Sequence, residues 1–188
     1  TNTLPPPPTN TLPPPTATPC GIRLNGGFAL LWQSEPTVAA TLGCAQAVEV
    51  AGQASLQYFE GGQMFWWANT DQIYVLYGDS TGRWEIYRNP RDPQYNTERE
   101  TGVPPGRYEP IRGFGALWQT IPAIRSAMGW ATSPEYPIGP PDAGPDMAVI
   151  QNFAGGLMFY APELGSDPAR IWVLANNGAF TRYRDRNR

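Results

Sequence analysis

The 188-residue chain repeats part of its own sequence, and this repeat sets the fold that we expect. Residues 27–33 read Gly-Phe-Ala-Leu-Leu-Trp-Gln, and residues 113–119 read Gly-Phe-Gly-Ala-Leu-Trp-Gln. After an insertion in the second copy, residues 57–66 match residues 151–160 around a shared Gly-Gly pair. Self-similarity at a fixed offset indicates that one supersecondary unit is built twice. The sequence therefore predicts two homologous modules in tandem.

Each copy predicts a short helix followed by three or four strands. Residues 36–42 begin with a proline, which the first helical turn tolerates, and end before Gly43, which suits a left-handed cap. Residues 122–128 and Gly129 repeat this pattern. The stretch at residues 28–32 fits either a strand or a helix.

The Gly-Gly pairs join aromatic-rich runs, and this pattern is typical of β-hairpins. Residues 73–77 and 84–88 predict two further short strands, separated by a turn that contains glycine. The predicted fold class is α+β with predominantly antiparallel sheet, preceded by a polyproline II arm.

Proline-rich stretches mark the boundaries between the predicted units. The connection at residues 89–110 is polar and contains five prolines, so the boundary between the modules falls there. We expect an arm at residues 1–19, a first repeat module at 20–103 and a second at 104–188. The insertion at residues 137–145 predicts a rigid surface loop in which the second copy can specialise.

The arm reads TNTLPPPP, then TNTLPPPT, then ATP, which is an octapeptide repeated almost unchanged. Such a composition favours polyproline II structure, and at ~3.1 Å per residue the arm could reach on the order of 60 Å. One interpretation is a semi-rigid, O-glycosylated linker. Its candidate O-glycosylation sites are Thr1, Thr3, Thr9, Thr11, Thr16 and Thr18.

Composition excludes most catalytic chemistry. The chain has no histidine, and all 13 of its basic residues are arginine. It therefore lacks an imidazole base, a histidine metal ligand and a Schiff-base lysine, and we expect no metal site and no cofactor. Paired carboxylates remain possible in principle, but only Glu49 and Glu135 recur at matched positions. We predict no catalytic residue and no enzyme activity. The scattered arginines and the net charge of -3 also argue against nucleic acid as a partner.

The two cysteines, Cys20 and Cys44, predict one disulfide, because two thiolates alone make a poor metal site. A pair of buried free thiols is the alternative. A disulfide indicates an oxidising compartment, so we expect an extracellular or cell-surface location. No apolar run reaches the ~20 residues that a membrane-spanning helix needs.

Comparison of the two copies separates the aromatic residues into two classes. Matched apolar residues, such as Trp32 and Trp118, are expected in the core. Unmatched aromatics, if exposed, can stack on sugar or proline rings. The candidate binding aromatics are Trp67, Tyr77, Tyr95, Tyr108, Trp130 and Tyr136. Because Trp130 stands where the first copy has Cys44, filling the volume of the disulfide is an equally good explanation for that residue.

The repeated motifs of both copies resemble tandem modules of secreted and surface-anchored bacterial proteins, which often follow Thr/Pro-rich linkers. They are also loosely similar to the LGFP repeat of cell-wall-associated proteins, from which Leu42-Gly43-Cys44-Ala45 and Met128-Gly129-Trp130-Ala131 depart. The resemblance covers residues 26–183. It implies a non-catalytic surface role and names no ligand.

Two functions follow from these expectations. The first is a structural subunit of an extracellular assembly or filament, in which the proline-rich arm of one copy docks on an aromatic groove of the next. The alternative is a carbohydrate- or cell-wall-binding surface module on a proline-rich stalk. The first requires self-association as the partner interaction, and the second requires a glycan.

Overall fold

A computed structural model describes residues 20–139 and 147–186, which form four α-helices, one 3₁₀ turn and ten strands. The helices are α1 (Gly26–Ser34), α2 (Pro36–Leu42), α3 (Arg112–Thr120) and α4 (Pro122–Met128), and the 3₁₀ turn is Pro93–Tyr95. The strands are β1 (Val50–Gly52), β2 (Ala54–Phe59), β3 (Gly62–Trp67), β4 (Gln72–Tyr77), β5 (Thr81–Arg88), β6 (Tyr136–Ile138), β7 (Ala148–Phe153), β8 (Gly156–Ala161), β9 (Arg170–Ala175) and β10 (Ala179–Arg184). The predicted α+β class with mainly antiparallel sheet is confirmed.

All ten strands belong to one curled antiparallel sheet with the order β1-β7-β8-β9-β10-β5-β4-β3-β2-β6. The short strands β1 and β6 form its two edges. The last strands of the two repeats, β5 and β10, pair at the centre, where Phe180 lies opposite Gly82. The sheet is therefore continuous across both repeats.

The predicted helices at residues 36–42 and 122–128 are confirmed with the expected ends. Gly43 and Gly129 follow them with φ of 63° and 64°, in the left-handed region that glycine adopts without steric cost. The ambiguous stretch at residues 28–32 lies in helix α1. Phe28 and Leu31, three positions apart, are buried there because that spacing places them on one helical face.

The order of two helices followed by five strands occurs twice, but the pairing crosses from one repeat to the other. Strand β1 of the first repeat pairs with β7 of the second, with Val50 opposite Ile150. Strand β6 of the second repeat pairs with β2 of the first, with Tyr136 opposite Leu56. Each repeat thus places its first strand at the edge of the other repeat's strands.

The helix pairs cross over in the same way. Helices α3 and α4 pack on the outer face of the first repeat's strands, where Trp118 and Met128 share a core with Met64 and Val75. Helices α1 and α2 pack on the outer face of the second repeat's strands, in a core of Phe28, Leu31, Val38, Leu42, Ala45, Phe153, Met158, Ile171 and Val173. Packing therefore groups residues 54–139 together, and groups residues 20–52 with residues 147–186.

Equivalent hydrogen bonds join each helix pair to the strands of the other repeat. The Gly61 N–H donates to the Met128 carbonyl at 2.9 Å, and the Gly155 N–H donates to the Leu42 carbonyl at 2.8 Å. Gln57 and Gln151 occupy matched positions in the two repeats, and both are buried. Gln57 Nε2 donates to the Ser133 carbonyl and Gln151 Nε2 to the Ala47 carbonyl, each at 3.1 Å.

The inner face of the curled sheet encloses a third core. Phe65 on β3 and Phe159 on β8 stack there with ring centroids 3.9 Å apart and parallel planes. Phe65 and Phe159 occupy matched positions in the two repeats, so the two sides of the curled sheet contact each other through equivalent phenylalanines. Tyr74 stacks on Phe65, and Trp172 lies against Phe159 at a tilt.

The predicted disulfide between Cys20 and Cys44 is formed. No helix in the described part of the chain is both long and apolar enough to cross a membrane. The predicted polyproline II arm at residues 1–19, with its six threonines, lies outside the described residues, as does most of the insertion at residues 137–145.

We predict that Gly61→Ala and Gly155→Ala each destabilise the fold. An added Cβ would overlap the carbonyl oxygen of Ala127 or of Thr41, at the end of the helix that covers each turn. Overpacking of this kind costs about 1–3 kcal/mol. Urea unfolding should show a lower midpoint for both variants. Gly21→Ala is the matched control, because its Cβ meets nothing within 4 Å. Equal midpoints for all three variants would contradict the crossed packing.

Candidate functional site

A polar cleft of about 620 Å³ opens at one end of the sheet, where three loops meet. The β2–β3 turn brings Glu60, the β4–β5 turn brings Asp79, and the β8–β9 loop brings Asp167. Its lining residues are Tyr58, Phe59, Glu60, Gly61, Gly62, Gly78, Asp79, Thr132, Ser133, Tyr136, Leu164, Ser166, Asp167 and Arg182. We call this site the polar cleft.

The β8–β9 loop has no full counterpart in the first repeat. It spans residues 162–169, whereas the equivalent β3–β4 loop spans only residues 68–71. The additional residues fold back on themselves, since Leu164 and Asp167 exchange two backbone hydrogen bonds at 3.0 Å around Gly165. This compact turn projects the Asp167 carboxylate into the polar cleft.

An arginine from the centre of the sheet forms one wall of the polar cleft. Arg182 of β10 donates from Nη2 to Asp79 Oδ1 at 2.8 Å and from Nη1 to Gln63 Oε1 at 3.3 Å. Its side chain is only 11% exposed, whereas that of Asp79 is 81% exposed. The guanidinium is therefore held in one orientation, and Asp79 keeps acceptor capacity toward the solvent.

A tyrosine and a second ion pair form the opposite wall. The Tyr58 hydroxyl donates to Asp167 Oδ2, and Arg170 Nη2 lies 2.8 Å from Asp167 Oδ1. Burial, and after it the hydrogen bond to Asp167, raises the pKa of Tyr58 well above its ordinary value. The hydroxyl therefore stays protonated and remains a hydrogen-bond donor.

The third carboxylate of the polar cleft is also paired. Glu60 accepts from Arg107 Nε at 2.7 Å and from the Trp130 N–H at 3.1 Å. The hydrogen bond from Arg107 and then the one from Trp130 hold the pKa of Glu60 below its usual range. Each of the three carboxylates around the cleft thus has its own arginine, so the polar cleft carries little net charge.

This arrangement offers fixed donors and acceptors beside two half-buried tyrosines, Tyr58 and Tyr136. The Tyr136 hydroxyl has no hydrogen-bond partner within the described residues. Charge-assisted groups held by a neighbouring partner are well suited to hydrogen-bond the hydroxyls of a neutral ligand. The geometry of the polar cleft therefore favours recognition of a neutral, polar molecule.

Of the six candidate binding aromatics, Tyr136 alone lines the polar cleft. Trp67 and Tyr95, treated above as candidates for exposed stacking, are 3% and 8% exposed. Trp67 shares the strand parity of Phe65 and so points to the inner core. Tyr95 lies in the connection against Gly115 of helix α3. Neither ring is accessible on the surface, which corrects that expectation.

The other three aromatics lie at separate places. Tyr77 is half-buried, and Arg83 lies over its ring at 3.7 Å from the centroid. Trp130 packs at a tilt on Trp118 with centroids 5.0 Å apart. Tyr108 is 42% exposed. These residues do not line one common groove.

The matched acids Glu49 and Glu135 lie in two separate small pockets of about 240 Å³, one beside the start of α1 and one beside the start of α3. Glu135 pairs with Arg112 at 3.3 Å. The two carboxylates do not face each other. Across residues 20–139 and 147–186 no group of three or more acidic or cysteine side chains is placed to hold a metal ion.

Comparison of the chain with protein-family models, curated proteins and solved structures finds no match.

Four residues of the polar cleft, Tyr58, Asp79, Asp167 and Arg182, were not among the site residues predicted from the sequence. The signal that could have found them is the difference in loop length between the repeats, together with their lack of matched partners. Their convergence could not be read from the sequence, because they come from four different strands or loops.

We predict that Tyr58→Phe changes how stability depends on pH. A tyrosine whose pKa is raised by folding loses stability as pH rises above about 10, because the unfolded chain releases its proton first. The variant should therefore lose less free energy of unfolding than the wild type between about pH 9 and 11. At neutral pH it should be less stable by about 1 kcal/mol, through loss of the bond to Asp167.

Urea unfolding at each pH measures both effects, with the exposed Tyr108→Phe as the control. Parallel pH profiles for wild type and Tyr58→Phe would contradict the role assigned to the buried hydroxyl.

Proposed function

We propose that this protein is a non-enzymatic, extracellular or surface-located binding module that takes a neutral saccharide in the polar cleft. The observation that carries the proposal is that the polar side chains of the cleft differ between the two repeats, while its framework is shared. The Gly-Gly turn and Phe59 recur in the second repeat as residues 153–156. We treat the repeats as products of a duplication in which one end acquired a site.

Most of the differences add a charged or aromatic group on the cleft side. At equivalent positions the other repeat has smaller or apolar residues in most cases. The pairs are Tyr58 and Asn152, Glu60 and Ala154, Asp79 and Asn177, Tyr136 and Val50, and Arg182 and Ile86.

The chemistry of the polar cleft supports a sugar over an ion. Its carboxylates are neutralised in pairs by Arg107, Arg170 and Arg182, so neither a strongly anionic nor a strongly cationic ligand is favoured. Sugar rings present hydroxyls to such pairs and C–H surfaces to tyrosine faces. Asp79 and Tyr136 have the free hydrogen-bonding capacity that a sugar would use.

The extracellular location is supported by the disulfide, which persists in oxidising compartments. In this proposal the Thr/Pro-rich residues 1–19 serve as a stalk, and the likeness to cell-wall-associated repeats agrees with a glycan ligand at a surface.

We predict that Tyr136→Val and Asp79→Asn each weaken saccharide binding by about tenfold, which corresponds to about 1.4 kcal/mol. The probe is a panel of soluble neutral cell-wall oligosaccharides measured by isothermal titration calorimetry. Tyr108→Val is the matched control, because this tyrosine lies outside the cleft lining. Retained binding in both cleft variants, or no binding of any neutral glycan by the wild type, would contradict the proposal.

A second candidate function is the structural subunit of an extracellular filament, with the arm docked on a neighbouring copy. The observation that favours it is a pocket of about 460 Å³ beside Cys20, where the arm joins the described residues. Leu24, Leu30 and Trp32 line this pocket and offer an apolar surface of the kind that proline-rich segments bind.

We predict that, if the arm mediates assembly, removal of residues 1–19 converts an oligomer into a monomer. Size-exclusion chromatography with light scattering on the full chain and the truncated chain measures this change. Leu30→Ser in the full chain should reproduce the loss. The same mass for all three proteins would exclude arm docking as the basis of assembly.

A further inference from the structure

The segment at the start of the described chain covers and extends strands of the second repeat. Residues 20–52 contain α1, α2 and β1, and these elements pack on β7 to β9 of the second repeat. Residues 54–139 form the equivalent arrangement within one continuous stretch, in which α3, α4 and β6 pack on β2 to β4. We call residues 20–52 the closure segment, because it closes the sheet at its far edge.

The closure segment is bound by non-covalent contacts that any second copy could supply. Its apolar residues Phe28, Val38 and Leu42 share a core with Phe153 and Met158. Backbone hydrogen bonds accompany this core. They run from Gly155 N to Leu42 O at 2.8 Å, from Ala154 N to Cys44 O at 3.0 Å and from Gln46 N to Asn152 O at 2.9 Å.

The covalent connections of the closure segment favour its exchange. Gln53 alone separates β1 from β2. A change of backbone direction at this one residue would move the closure segment away from the β7 to β9 face of its own molecule. The disulfide joins Cys20 to Cys44, both within the segment. It therefore holds α1 and α2 together as a unit, and it does not tie the segment to β7 to β9.

We propose that the closure segment exchanges between copies of this chain, so that residues 20–52 of one molecule complete the β7 to β9 face of the next. Exchange restores every contact of the closed monomer except those at Gln53, so concentration and hinge strain decide between the two forms. Each molecule then donates one segment and accepts another. This head-to-tail contact is heterologous, and it extends into an open polymer or closes into a ring.

The proposal is independent of saccharide binding. The lining of the polar cleft contains no residue of the closure segment, so exchange leaves that site intact. It also differs from arm docking, since the exchanged surface begins at Cys20.

A disulfide between strands distinguishes closed from exchanged molecules. Ala51 and Val149 are register partners on β1 and β7, and directly opposed residues of antiparallel strands are close enough for a disulfide. The full-length Ala51→Cys/Val149→Cys variant is unfolded in urea, refolded either at low or at about millimolar protein concentration, and then oxidised. The higher value is chosen because a short linker gives an effective concentration of about that order. Non-reducing electrophoresis separates bonds within a chain from bonds between chains.

We expect monomer bands after refolding at low concentration and a ladder of covalent oligomers after refolding at high concentration. The ladder should persist when residues 1–19 are removed. Monomer bands alone at both concentrations, or oligomers in solution that give only monomer bands, would overturn the proposal.

Hinge variants test the same proposal without new cysteines. Insertion of Gly-Ser-Gly-Ser after Gln53 relaxes the turn and should keep the protein monomeric, whereas deletion of Gln53 strains it and should raise the oligomer fraction about tenfold or more over the insertion variant. Light scattering after chromatography measures both. Equal oligomer fractions in the two variants would also overturn the proposal.

Discussion

Each pair of helices in this protein lies on strands that belong to the other sequence repeat. The helices are seven to nine residues long, which is too short for a stable helix in water without tertiary packing. Their stability therefore comes from burying residues such as Leu42 and Met128 against the opposite strands. Neither repeat has a complete core alone, and the two must form together.

The shared framework leaves its two ends free to differ. Gly61 and Gly155 are fixed in both repeats by the close approach of a helix-end carbonyl, and Phe65 and Phe159 are fixed by their stack at the centre. Side chains at the sheet ends carry no such constraint. One end carries Arg182, Asp79 and the longer β8–β9 loop, and these line the polar cleft.

Much of the local structure could be predicted from the sequence. The proline start and glycine end located α2 and α4, the Gly-Gly pairs located two hairpins, and two cysteines located the disulfide. Strands β1 and β6 were not predicted separately, because three residues carry too little alternation to identify a strand. Trp67 was misjudged because its lack of a matched partner suggested exposure, whereas strand parity directs it inward. The cleft residues were missed because they meet only after four separate segments converge.

The sequence by itself determined many of the local elements and their order in two similar stretches of sequence, because turn glycines, prolines at helix starts and apolar spacing act within a few residues. Only the tertiary structure decided which unit each helix pair and edge strand would complete. Matched apolar faces are chemically alike in the two repeats, so the sequence pattern is compatible with pairing within a repeat or across repeats. The chain connection decides between these pairings. Gln53 alone joins β1 to β2, and β1 lies at the far edge of the sheet, where it pairs with β7.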